Sequence, residues 1–131
     1  MAHLVPYINF VDKSQEAVAF YTAVFGGEAE VQADAGRIVH LEFKAGDIHF
    51  MGGDHAVDEA GLTASKGYSL VLTCDSEAQL RDFYARLADS GQEIFAPMDS
   101  GWGATIAHCT DRFGVSWMLN YDKPEEAHNE Q

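Results

Sequence analysis

The sequence predicts an α+β fold made of two paired βαβββ modules, with a cleft between their curved sheets. Three observations lead there. "DKSQEAVAFY" (Asp12 to Tyr21) returns as "DSEAQLRDFY" (Asp75 to Tyr84), with an offset of 63 at both the Asp and the Phe. "HLEFKAGDIHFMGGD" (His40 to Asp54) lines up with "HCTDRFGVSWMLNYD" (His108 to Asp122) at an offset of 68. That pairing matches His40 with His108, Gly46 with Gly114 and Asp54 with Asp122. Each echo also sits in the same order of strand-like and helix-like segments, which is the mark of a duplicated architecture. The growing offset places extra residues in the second copy, around Met98 to Ala104.

The elements follow in order. Leu4 to Phe10 reads as a strand, with Pro6 tolerable near its start or on an edge. A helix from about Ser14 to Phe25 carries an apolar stripe of Ala17, Tyr21, Val24 and Phe25, and Gly26-Gly27 stops it. "EAEVQAD", "RIVHLEFKA" and "DIHFMG" are three short strands, with Ala45-Gly46 as a tight turn between the last two. That turn would pair Leu41 with Phe50 and put His40 on the opposite face from Phe50. In the second half "YSLVLTC" is a strand, and Ser76 with Gln79 forms a capping box. The helix that follows has Leu80, Phe83, Tyr84 and Leu87 on one face and ends at Gly91. "EIFAPM", "ATIAHC" and "SWMLNY" close the module. The domain is therefore single (1–131), with module 1 at about 3–54, a linker at about 53–67, module 2 at about 68–122 and a frayed acidic tail at 123–131. A βαβββ unit cannot cover both faces of its own sheet, so two copies must pair.

Composition narrows the function. With 47% hydrophobic and 22% charged residues, the chain is an ordinary globular one, but its net charge of −13 is not ordinary. Such a charge excludes nucleic acid as a partner, because nothing here neutralises a row of phosphates. It serves solubility, or attracts a cationic ligand. Cys74 and Cys109 stand in apolar runs without a C-x-x-C, so they read as small buried hydrophobes. No leader pattern or bilayer-length apolar run occurs, and the expected location is cytoplasmic, away from membranes.

"PYINF", "EAVAFYTAVFGGE", "HLEFKAGD", "SGWGA" and "TDRFGVSWMLN" together resemble the vicinal oxygen chelate superfamily, the glyoxalase/bleomycin-resistance/dioxygenase group, and within it the PhnB-like branch. The resemblance runs from Leu4 to Asn120. It implies the glyoxalase/bleomycin-resistance fold and a homodimer, and it says less about activity. The methyltransferase label often given to that branch finds no support in this sequence, which lacks both a glycine-rich strand-to-helix loop and a doubly wound β-α pattern.

Metal-dependent relatives hold a divalent cation on the first and last strands of each module. Carried onto this chain, those positions fall at Val5 or Pro6, at Tyr68, at Phe50 and at Met118, none of them a ligand for a hard cation. The usual metal is expected to be missing. His40, His49 and His108 are the remaining candidates for a divalent metal, and His55 with Asp54, Asp58 and Glu59 is a candidate loop site. His3 and His128 are terminal and read as inert. Tyr7, Phe50, Tyr68, Trp102 and Met118 are expected to line the ligand pocket. Trp102 either lies over the cleft mouth or packs on its own core, and Asp111 belongs to a turn beside Arg112. The expectation is a protein that binds a small organic ligand, cationic or aromatic, in the inter-module cleft without the usual metal. The alternative is a metal-dependent glyoxalase- or dioxygenase-type enzyme with non-standard His ligands.

Overall fold

The computed structural model describes residues 2, 4–54 and 68–124. The chain divides into two compact units, Met1–Ser65 and Lys66–Gln131. In module 1, β1 (Tyr7–Asn9) is followed by α1 (Ser14–Phe25), β2 (Glu28–Asp34), β3 (Arg37–Ala45) and β4 (Ile48–Gly53). In module 2, β5 (Leu70–Thr73) is followed by α2 (Glu77–Ala88), β6 (Gln92–Asp99), β7 (Ala104–Thr110) and β8 (Ser116–Asp122). The sheets have equivalent strand orders, β1-β4-β3-β2 and β5-β8-β7-β6, each with one parallel pair at the β1 or β5 edge. This is the βαβββ duplication that the repeats imply.

Local signals fix both helices. Ala17, Tyr21 and Val24 are buried on α1, and Leu80, Tyr84 and Leu87 occupy the same positions on α2, each 63 residues later. Ser76 Oγ accepts the Gln79 N–H at 3.0 Å, while the Gln79 side chain accepts from Asp75 N at 2.7 Å, completing a capping arrangement one residue further out than the box predicts. No side chain of its own caps α1; Asp54 does so from the end of β4, taking the Ser14 N–H at 2.8 Å and the Ile38 N–H at 3.3 Å. The left-handed residue after α2 is Ser90 (φ 65), not Gly91. Gly91 is needed for close approach instead, since a Cβ there would stand 2.2 Å from the Thr110 carbonyl oxygen. Gly27 plays the same part in module 1, 2.3 Å from the Lys44 carbonyl oxygen.

Two elements differ from the sequence reading. The first strand is only Tyr7–Asn9, because Pro6 has no N–H to extend the ladder; its carbonyl takes the Met51 N–H, and Leu4 is exposed. The β3–β4 turn is Gly46-Asp47, with Gly46 at φ 63, so Phe43 pairs with Phe50 and Leu41 with Gly52. The register is two residues from the expected one, which leaves the alternation of faces unchanged. The core of module 1 is aromatic: Phe43 stacks on Phe50 (5.0 Å) and Tyr21 meets Phe50 edge-on (5.2 Å). In module 2, Cys74 and Cys109 are buried as expected, and burial pushes their thiols up to about 11 and about 12, helped by Asp75 and by Asp111 with Glu93 respectively.

Candidate functional site

Each sheet has one face covered by its helix and one that is helix-free, and alternation decides which side chains lie where. In module 1 the helix face carries Leu41, Phe43 and Phe50, all buried. The helix-free face carries Tyr7, His40, Glu42, Lys44, His49 and Met51, since Tyr7 and Glu42 are both direct partners of Met51, and His49 of Lys44. In module 2, Ala107, Cys109, Trp117 and Leu119 are buried on the helix face, leaving Val71, Phe95, Ile106, His108, Ser116 and Met118 on the other.

Both helix-free faces hold a hydrogen-bonded diagonal pair. The His49 Nε2 lies 2.6 Å from Glu42 Oε2, with Lys44 Nζ at 4.0 Å from the same oxygen. The His49 hydrogen bond, more than the charges of Lys44, His49 and His40, holds the Glu42 carboxyl below its ordinary value against desolvation. In module 2, His108 Nε2 lies 2.9 Å from Ser116 Oγ, which lies 2.6 Å from Ser69 Oγ. Phe95 meets the His108 ring edge-on at 5.9 Å, and Tyr7 lies 6.0 Å from the ring of His40.

The two pairs occupy equivalent places. Phe10 N bonds Gly53 O and Cys74 N bonds Asn120 O, which sets β4 against β8 at an offset of 67 (53 to 120). Met51 then matches Met118, and their cross-strand partners Glu42 and His108 match at an offset of 66 (42 to 108). His49 matches Ser116. The expected equivalence of His40 with His108 is therefore incorrect, and so is that of Asp54 with Asp122; the counterpart of His40 is Ile106. The extra residues do lie where expected, since the β6–β7 turn is Ser100–Gly103 where the β2–β3 turn is Ala35–Gly36. Letter matching spread this insertion wrongly over the strands.

The pocket residues separate. Phe50 is 2% exposed beneath Tyr21 in the module core, so it does not line a pocket. The sequence expectation fails here because strand letters give alternation but not which face the helix covers. Tyr7 and Met118 lie on helix-free faces. Tyr68 precedes β5 and is 70% exposed. Trp102 is 75% exposed in the β6–β7 turn, which rules out packing on its own core. Asp111 is more than a turn residue. It is buried and accepts from Phe113 N (2.8 Å), Val115 N (3.1 Å) and Trp117 Nε1 (2.9 Å), while Arg112 pairs with Asp89. Asp54 is occupied by α1, and His55, Asp58 and Glu59 lie outside the described residues, as do His3 and His128.

His49 and Ser116 lie on the helix-free faces of the last strands, and the row beside them, shared with the first strands, is Tyr7, Met51, Val71 and Met118: a phenol, two thioethers and an alkyl group. Desolvation raises the Tyr7 pKa, which disfavours the phenolate a cation would need. This donor set does not fit a hard divalent cation. Among the described residues no three His, Cys, Asp or Glu side chains converge as a cation site. Sequence reasoning missed Glu42, Ser69 and Ser116. A turn placed at Gly46-Asp47 would have revealed Glu42 as the diagonal neighbour of His49.

Known proteins agree with this architecture. The chain is 28% identical to protein PA1353 from Pseudomonas aeruginosa, over 95% of this chain and 100% of that one, with a TM-score of 0.81. A putative 3-demethylubiquinone-9 3-methyltransferase, PhnB protein, from Bacillus cereus is 24% identical, covering 92% and 99%, with a TM-score of 0.77. Protein YjdN of Escherichia coli is 23% identical, covering 93% of this chain and 97% of that protein. The family model for the Glyoxalase/Bleomycin resistance protein/Dioxygenase superfamily matches residues 2–119, and the chain belongs to that superfamily.

Proposed function

We propose that the protein binds a small organic molecule against the helix-free faces of its modules, without a metal at the usual strand positions. The observation that carries this reading is that Tyr7, Met51, Val71 and Met118, paired across the first and last strands on the helix-free faces, make a donor set unsuited to a hard cation. A few polar groups among apolar and aromatic ones suit recognition of an organic ligand. The exposed Tyr68 and Trp102 are the further aromatic contacts in this reading and suit an aromatic or cationic guest, and the charge of −13 favours a cationic one. The same reading takes the protein as a cytoplasmic homodimer. No helix among the described residues is long and apolar enough to cross a membrane.

A thermal-shift screen of cationic and aromatic compounds, followed by calorimetry, tests it. Binding of one compound class is expected, lost in Tyr7→Ala and Met118→Ala with the fold retained. A stoichiometric ion that survives gel filtration, and that His40→Ala, His49→Ala or His108→Ala releases, would overturn the metal-free reading and direct the protein to glyoxalase-like and dioxygenase assays.

A further inference from the structure

We propose that Ser116, on the helix-free face of module 2, is a nucleophile that attacks the carbonyl of a small ester, with His108 as its general base. This rests on the binding reading above and gives the bound molecule a chemistry. The substrate class is an activated carboxylic ester with an apolar or aromatic leaving group.

The hydroxyl relay carries the argument. Ser116 Oγ touches two partners, Ser69 Oγ at 2.6 Å and His108 Nε2 at 2.9 Å. Among the described residues neither Ser69 Oγ nor His108 Nδ1 makes a further hydrogen bond. One assignment alone gives both hydroxyl protons an acceptor within this set: Ser69 donates to Ser116, and Ser116 donates to His108 Nε2. The lone pair of Nε2 then faces the proton it must take, and the second lone pair of Ser116 Oγ is left for attack. All three residues are half-buried, within reach of a ligand yet partly shielded from water.

The position is also rigid. Ser116 stands between Val115 and Trp117, and the Asp111 carboxylate binds both, through Val115 N at 3.1 Å and Trp117 Nε1 at 2.9 Å. Phe95 meets the His108 ring edge-on at 5.9 Å. Strand register sets Phe95, His108, Met118 and Val71 in one row across the sheet, an apolar bed for the leaving group beside the serine. In module 1 the place of Ser116 is taken by His49, which pairs with Glu42 and offers no hydroxyl, so this chemistry belongs to module 2.

The step balances with water as the only co-reactant. Ser116 Oγ bonds to the carbonyl carbon, and its proton passes to His108 Nε2. The Ser69 hydroxyl, no longer held by a free serine oxygen, turns to the oxyanion. Collapse breaks the bond to the leaving oxygen, which takes the proton from His108. Water, deprotonated by His108, then displaces the acyl group as the free acid, and the proton returns to Ser116.

The test uses 4-nitrophenyl acetate for turnover and phenylmethylsulfonyl fluoride as a trap, whose fluoride Ser116 Oγ would displace. The wild-type protein is expected to exceed free imidazole, supplied at 6 equivalents to match its histidines, by about 10²-fold. Ser116→Ala should return the rate to that of imidazole. Ser69→Ala should lower kcat at least about 10-fold with KM unchanged. The trap should abolish turnover and leave one sulfonyl group on the peptide that carries Ser116, and His108→Gln should slow this labelling about 10²-fold. Unfolding curves establish that each variant is folded, and labelling of the wild-type chain decides the point where one is not. A wild-type rate no greater than imidazole, a Ser116→Ala rate equal to wild type, or a sulfonyl group on another residue overturns the proposal. Saturation-transfer NMR with 4-nitroacetanilide, the amide of the same shape, separates the two readings. Amide binding without ester turnover overturns the nucleophile and leaves ligand binding standing, whereas neither binding nor turnover counts against both.

Discussion

Phe50 and Met51 are adjacent in the chain and opposite in role. Phe50 lies under Tyr21 with its ring on Phe43, and Met51 points to the helix-free face between Tyr7 and Glu42. Truncation distinguishes them. Phe50→Ala removes a buried aromatic and should cost about 3–5 kcal/mol in urea unfolding, whereas Met51→Ala should cost about 1 kcal/mol. Equal losses would mean that the faces are wrongly assigned. The period-2 pattern of "IHFMGG" was readable and correctly separated His40 from Phe50. What it could not supply was the side on which α1 lands, because that is set by contact with Tyr21, 29 residues before Phe50 in the chain. Without that long-range contact the strand pattern assigns Phe50 to the pocket and leaves Glu42 out of it.

At the scale of elements, the stretch "TDRFGVSW" is a structural clip. Asp111 N bonds Val115 O across the β7–β8 turn, and its carboxylate gathers Phe113 N, Val115 N and the Trp117 indole. A motif that marks the family thus serves to close a hairpin and anchor a buried Trp. Asp111→Ala leaves those buried donors unsatisfied and should destabilise the protein by about 3 kcal/mol, measured by urea unfolding. Asp111→Asn keeps an acceptor and should cost less. Elements specified by near neighbours were legible: α1 begins and ends where the apolar stripe and Gly26 put it, and Ser76 caps α2. Elements completed from a distance were not. The cap on α1 comes from Asp54, 40 residues from Ser14, and no spacing rule would select it. The hairpin register escaped for a smaller reason, since Ala45-Gly46 and Gly46-Asp47 both place Gly46 in the turn, and only cross-strand packing of Phe43 on Phe50 favours the second.

For the whole molecule, the duplication was the most legible feature because it is written in the buried helix positions, which packing constrains in both copies. The charge of −13 was equally plain, and its consequence for stability can be worked out. Among the described residues three carboxyls have lowered pKa values: Glu42 through His49, Glu77 through its hydrogen bond from Arg81, and Asp99 through the Gly101 N–H with Lys123. A carboxyl whose folded pKa lies below its unfolded one adds stability above the unfolded value and loses it as pH falls through the folded value. Those contributions are thus complete at neutral pH and decay below about pH 4. Self-repulsion among the many other acidic groups works in the opposite sense, since partial protonation and lower net charge relieve it. With a sequence pI near 4.5, repulsion declines on acidification before the three pairs are lost. The unfolding temperature should therefore rise modestly from pH 8 to a maximum at about pH 5 and then fall steeply by about pH 3. Added salt at pH 8 should raise it by screening repulsion, with little gain at the maximum. The combined variant Glu42→Gln, Glu77→Gln and Asp99→Asn should flatten the acid limb alone, because it removes the groups that titrate there and leaves most of the excess charge. A steady decline in stability from pH 8 downward, unaffected by salt, would show that the paired carboxylates outweigh repulsion across the whole range.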